Sequence, residues 1–156
     1  MTSSDQKMLL WLDRLSKQTE MYKDHFGELS SNEINWKPQA DVWSIGQIID
    51  HVITLNQAYY PKFRALRENS LKLPFHARIG FVPRIFGKLL LGTLGEDRKK
   101  KFQTVAPFHP TESNISSDIL HTYQKHKVEL AQFVLDHQSY ISPTIIITSP
   151  ANNTLV

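Results

Sequence analysis

Three stretches of this chain repeat their apolar residues at the spacing of a helix, and that repetition restricts the fold more than any other property of the sequence. Over about residues 5 to 29, Met8, Leu12, Leu15, Tyr22, Phe26 and Leu29 advance in steps of three, four and seven, the seam of an amphipathic helix. Over about residues 45 to 67, Ile45, Ile49, Val52, Asn56, Tyr59, Phe63 and Leu66 share one face. Asp50, Lys62 and Arg64 fall elsewhere, and Pro61 is expected to bend this helix locally. A third helix is predicted over about residues 117 to 136, with Asp118 in its first turn and Ile119, Tyr123, Leu130, Phe133 and Val134 on one face. Between the first two, SSNEINWKPQADVWS interrupts the seam with Pro38 and several turn-forming residues, and Ser44 is placed to cap the second helix.

The region from about 68 to 112 has a different character, with four prolines and four glycines, and reads as a long crossover. Within it Val82, Ile85, Phe86, Leu89, Leu90 and Leu94 are spaced for a short amphipathic helix. It reads as a lid on the bundle, with a membrane-surface helix as the alternative. Arg98, Lys99, Lys100 and Lys101 read as a solvated charged turn. A phosphate-binding patch is the alternative, and Phe102 alone does not supply the aromatic interleaving of a nucleic-acid surface. The tail from Ser139 reads as an extended connection, because the β-branched run Ile145 to Thr148 has no second strand to pair with.

Three apolar stripes are most simply closed by a fourth helix, and none is encoded after Asp136. The crossover completes the core, the bundle continues past the last residue, or a second subunit covers the open face. The expected fold is therefore all-α, of the four-helix-bundle type, with three long helices and a long crossover in a single domain over residues 1–156.

Composition narrows the chemistry. The chain has no cysteine, which removes disulfides, thiolate zinc sites and thiol nucleophiles and leaves His, Asp and Glu as metal donors. A net charge of +3 is too weak to demand nucleic acid or an anionic membrane, so neither is expected as a partner. No apolar run is long enough to span a bilayer and the amino terminus is not a leader, so a soluble cytoplasmic protein is expected.

Of the seven histidines, His25, His76 and His109 read as surface residues. His51, in IGQIIDHVITLN, lies on the flank of the second helix's apolar stripe. It reads as a hydrogen-bonded core-edge residue or, alternatively, as a metal ligand. His126 and His137 share the buried face of the third helix, and His126 carries the same two readings as His51, a hydrogen-bonded core-edge residue or a metal ligand; His121 points away and is five residues from His126, the wrong spacing for joint chelation. Asn56 sits in the second helix's apolar stripe, where an amide requires partners; it reads as hydrogen-bonded to a neighbouring helix or backbone or, alternatively, as a group supporting a site beside His51. No nucleophile elbow, phosphate-binding glycine loop or paired-carboxylate motif is present.

The segment INWKPQADVWSIGQIIDHVITLNQAYYPKF resembles the DinB-like superfamily of four-helix bundles, which includes YfiT-type metal hydrolases and the bacillithiol and mycothiol S-transferases. The resemblance rests on a Trp-containing loop, Trp36 to Pro38, followed by Trp-Ser-x-x-Gln-x-x-x-His at Trp43, Ser44, Gln47 and His51. TVAPFHPTESNISSDILHTYQKH and ITSP extend it through the crossover, the third helix and the following loop.

That resemblance implies His51 as the first of three metal-ligating histidines, with the other two on an H-x-x-x-H pair of a fourth helix expected to start beyond Val156. The implied cofactor is a divalent metal, zinc or nickel, held by neutral imidazoles with open positions. A bound water or thiol would lose its proton there, giving hydrolysis or thiol S-transfer on a small molecule. A metal-free bundle acting as a dimerisation or interaction module is the alternative function, and a homodimer is expected because an open apolar groove favours association.

Overall fold

The computed structural model describes residues 3–78, 88, 104, 108–110, 114–141 and 145–150. In chain order its elements are α1 (Ser3–Phe26), α2 (Ser31–Asn35), α3 (Ile45–Arg67), a 3-10 turn at Phe75–Arg78, α4 (Ile119–His137) and a 3-10 turn at Gln138–Tyr140. The fold is all-α, with no strand among the described residues. None of the helices among them is long and apolar enough to cross a membrane. Apart from Lys88, the predicted amphipathic segment around 82–94 lies outside the described residues, and so does the basic run 98–101. Two compact units are present, one of Met1–Thr54 with Pro110–Asp136 and the other of Leu55–His109 with His137–Val156.

In α1 the seam lies where the spacing places it: Met8, Leu12, Leu15, Tyr22 and Phe26 are half-buried, while Asp13, Arg14, Lys17 and Glu20 are exposed. The helix ends at Phe26, three residues earlier than the pattern predicts, because the chain turns at Gly27 and the Leu29 N–H donates to the Phe26 carbonyl at 3.1 Å. Leu29 still reaches the core from the turn.

The interruption between the long helices contains a short helix that the apolar pattern does not reveal. Ser30 and Glu33 build α2 by capping each other's backbone: the Ser30 N–H donates to Glu33 Oε2 at 2.8 Å and the Glu33 N–H to Ser30 Oγ at 3.4 Å. The same contacts hold the Glu33 carboxyl below its usual range, the Ser30 hydroxyl contributing first and its backbone N–H second. Asn35, at the end of α2, pairs with the backbone ahead of α4. Its Oδ1 accepts from the Ile115 N–H and its Nδ2 donates to the Ile115 carbonyl, both at 2.7 Å.

Ser44 caps α3 as the sequence predicts. The Gln47 N–H donates to Ser44 Oγ and the Ser44 N–H donates to Gln47 Oε1, both at 3.2 Å and both buried. Every fully buried residue of this helix lies in its first nine positions: Gly46, Gln47, Ile49 and Ile53. A Cβ on Gly46 would stand 2.8 Å from Ile34 Cγ2 and 3.0 Å from Ile115 Cβ, so only glycine permits α2 and the residue-115 segment to approach this closely. The helix runs through Pro61, which removes the N–H that would reach the Gln57 carbonyl. It closes on Asn69, at φ 53°, with Ser70 N–H bonded to the Ala65 carbonyl and Asn69 N–H to that of Leu66. This is the doubly bonded left-handed termination in which asparagine substitutes for glycine.

In the unit that holds α1, α2, the start of α3 and most of α4, the core is Ile34, Ile49, Ile53, Ile115, Ile119 and Tyr123. Tyr22, Leu29, Ile45, Val52 and Leu120 pack around it. Each fully buried isoleucine contributes about 2 kcal/mol relative to exposure. Tyr123 anchors α4 to α1 through Tyr22, whose ring stacks on it with centroids 4.9 Å apart. Phe26 meets Tyr22 edge-on at 5.4 Å. In the other unit the fully buried described residues are Ala77, Phe108, His137 and Thr148.

Candidate functional site

His51 occupies the second turn of α3, one helical turn beyond Gln47. Because Gln47 is locked into the cap with Ser44, the start of the helix is fixed and the position of His51 follows from it. The imidazole is half-buried and lies against the indole of Trp43, ring centroids 5.0 Å apart and planes inclined by 57°. Trp43 stands immediately ahead of the cap, so one tight segment, Trp43 to His51, supplies both the ring and the wall beside it. Such a wall restricts imidazole rotation and shields one side from water, which suits a ligand or a hydrogen-bonded histidine equally. Trp36, the other tryptophan of this loop, is 67% exposed and is not part of that wall's burial.

The described residues do not complete a metal centre around His51. Among them, no three His, Asp or Glu side chains are grouped so as to hold an ion. The remaining histidines are dispersed. His25 sits on the exposed flank of α1 with Nδ1 2.8 Å from the Met21 carbonyl, and His109 is exposed with Nε2 2.6 Å from the Thr104 carbonyl. His121 is exposed, while His126 and His137 are buried, as the helical spacing predicts. Asn56 is half-buried and is not left without a partner, which agrees with its position in the apolar stripe.

A second polar feature was not anticipated. Lys127 is buried, and its Nζ donates to Gln18 Oε1 at 3.2 Å while lying 4.7 Å from the centroid of the Tyr123 ring. Burial pushes its ammonium below the usual lysine range. It pushes the Tyr123 phenol up, with Tyr22 adding to the effect. His126, next in the chain, is pushed down by burial first and by the Lys127 charge second, with Glu129 opposing. The signal for Lys127 was present in the spacing: it lies about 40° around the helix from Tyr123, at the margin of the apolar stripe. Its residue type concealed it, because a long cationic side chain at a stripe margin ordinarily reaches solvent.

A family model described as the DinB superfamily matches residues 14–137, a span that takes in α2, α3, His51 and all of α4. No curated protein and no solved structure matches the chain.

Proposed function

The chain belongs to the DinB superfamily, and on that premise we propose that it is a divalent-metal-dependent enzyme, a thiol S-transferase or hydrolase acting on a small molecule, with His51 as one ligand to zinc or nickel. The observation that carries the reading is the position of His51 within the matched span: a histidine held against Trp43 by the Ser44–Gln47 cap. On this reading the remaining donors come from residues other than those described, since the described ones offer no group of three.

The test is metal retention. The protein is loaded with zinc or nickel, dialysed, and analysed beside a His51→Ala variant. Loss of a ligand is expected to weaken metal affinity at least about tenfold, the lower end of what is lost when even the groups behind a ligand are removed. Equal metal content in the two proteins overturns the role of His51. Consumption of a free thiol in the presence of an electrophile then separates transfer from hydrolysis.

A second reading, a metal-free bundle that dimerises, is supported by apolar side chains left in solvent. Leu9, Leu10 and Met21 of α1 are 55%, 50% and 50% exposed, and Val128 of α4 is 72% exposed. Leu10 and Met21 lie about 20° apart around the helix, so they present one face. Light scattering of the wild type and of a Leu10→Glu, Met21→Glu variant decides it: a dimer that the two charges dissociate supports the reading, and a monodisperse wild-type monomer removes it.

A further inference from the structure

The net charge of +3 is a sum over two unequal units. Leu55–His109 with His137–Val156 carries 11 Lys and Arg against 3 Asp and Glu, a balance of +8, whereas Met1–Thr54 with Pro110–Asp136 carries 7 against 12, a balance of −5. The excess is already present in the stretch from Leu55 to Arg78, where Lys62, Arg64, Arg67, Lys72 and Arg78 are opposed by Glu68 alone. Arg64, Arg67 and Lys72 are exposed, and no carboxylate pairs with any of them among the described residues. By contrast Lys17 and Lys125 of the other unit each have an acid four residues away, at 2.8 and 4.0 Å. Cations left without local anions attract an anionic surface, over a reach of about 8 Å at physiological salt.

The same stretch holds a ring in water. Phe75 is 80% exposed, more than any other large apolar side chain among the described residues. The turn that carries it accounts for this. Pro74 fixes the backbone at its entry, the Ala77 N–H donates to the Pro74 carbonyl at 3.0 Å, and Ala77 is buried. At three residues per turn, positions two apart lie about 120° from each other, so burying Ala77 turns Phe75 outward. Leu71 and Leu73 are half-buried on either side of the exposed Lys72, so the segment leading to the turn is seated as well.

We propose that the end of α3 and the Leu71–Phe75 segment form a docking surface for an anionic phospholipid membrane. Arg64, Arg67 and Lys72 meet the headgroup phosphates and carboxylates, and Phe75 enters the boundary between headgroups and acyl chains. A bilayer surface asks for no matching cavity, only for cations at the headgroups and an apolar group just below them, and each signal strengthens the other. Nucleic acid fits less well. Its phosphates would meet the cations, but a single strand is held by successive bases stacked on several rings, and Phe75 is the only exposed ring among the described residues between Leu55 and Arg78.

The experiment is sedimentation of the full chain with phosphatidylcholine vesicles, with and without about one third phosphatidylserine, at about 0.1 M salt. The protein is expected to sediment with the anionic vesicles and not with the neutral ones, and to be released at about 0.5 M salt, where the reach of the charges is about halved. Arg64→Glu, Lys72→Glu is expected to weaken the partition at least about tenfold, since each cation near an anionic bilayer contributes about fivefold. Phe75→Ser, at a position 80% exposed, should weaken it about fivefold with the fold untouched. Lys7→Glu, Lys23→Glu makes the same change of net charge at exposed positions of α1 and should leave the partition within about twofold of wild type. Sedimentation no greater with anionic than with neutral vesicles overturns the proposal. So does an equal loss in the two charge-reversal pairs, which would make the attraction a property of net charge, and so does an unchanged partition of Phe75→Ser. Displacement from the vesicles by an equal concentration of duplex DNA phosphate also overturns it and reassigns the cations to nucleic acid. If circular dichroism shows Arg64→Glu, Lys72→Glu unfolded, Phe75→Ser and the salt step decide alone.

Discussion

α1 and α4 both carry an apolar seam at helical spacing, yet they bury different things. The inward side chains of α1, Tyr22 and Phe26 included, remain half-buried, and its outward side leaves Leu9, Leu10 and Met21 in solvent. α4 is covered far more completely, burying Ile119 and Tyr123 and with them His126, Lys127 and His137. The difference teaches that depth is set by how many elements approach a helix, not by the polarity of its residues. α4 meets Tyr22 of α1, and its leading segment is held by Asn35 of α2 and lies against Gly46 of α3. A polar residue on its inner half is therefore enclosed whatever its type.

The sharpest way to break that contrast is to truncate one residue on each helix. Tyr123→Ala removes a ring that is 1% exposed and stacked on Tyr22, and is expected to cost about 4 kcal/mol in urea denaturation. Leu10→Ala, at a site 50% exposed, should lie within about 0.5 kcal/mol of wild type. Comparable losses at the two positions would show that α1 is enclosed by something the burial of this chain does not reveal. Next in size is Asn35→Ala, which deprives the Ile115 N–H and carbonyl of their 2.7 Å partners and should lower stability by about 2 kcal/mol. An unchanged midpoint would mean that α4 does not depend on its tie to α2.

Much of this contrast, though not the burial of Lys127, was legible in the sequence. The three long helices, the cap at Ser44, the half-buried seam of α1 and the inward pair His126 and His137 all follow from spacing, because a 3.6-residue period leaves little freedom once the apolar face is fixed. α2 did not, since five residues are too few for a period and its stability comes from the reciprocal Ser30 and Glu33 cap. Lys127 was concealed by its type: the spacing places it at the margin of the stripe, but its contact with Gln18, 109 residues earlier in the chain, is one that no local pattern encodes. At the candidate site the motif located His51 and its capped helix, while the contact of its ring with Trp43 required the turn geometry ahead of α3.

The smallest expected effect probes the buried polar half of α4 directly. His126 is pushed below its ordinary value, chiefly by burial and then by Lys127. The unfolded chain takes up that proton near pH 6.5, where the folded protein still resists it, so just below this pH the unfolded state binds more protons. Stability must therefore fall as pH falls through about 6.5, and the loss stops growing once the pH is below the folded value. The urea midpoint is expected to be lower at pH 5.5 than at pH 7.5, and His126→Leu should flatten that decline. Lys127→Met should flatten it in part, because it removes the neighbouring charge that acts second and leaves the burial that acts first. A slope that survives His126→Leu undiminished would place the acid sensitivity elsewhere. A slope abolished by Lys127→Met alone would invert the order of the two causes, making charge rather than enclosure the feature that distinguishes α4 from α1.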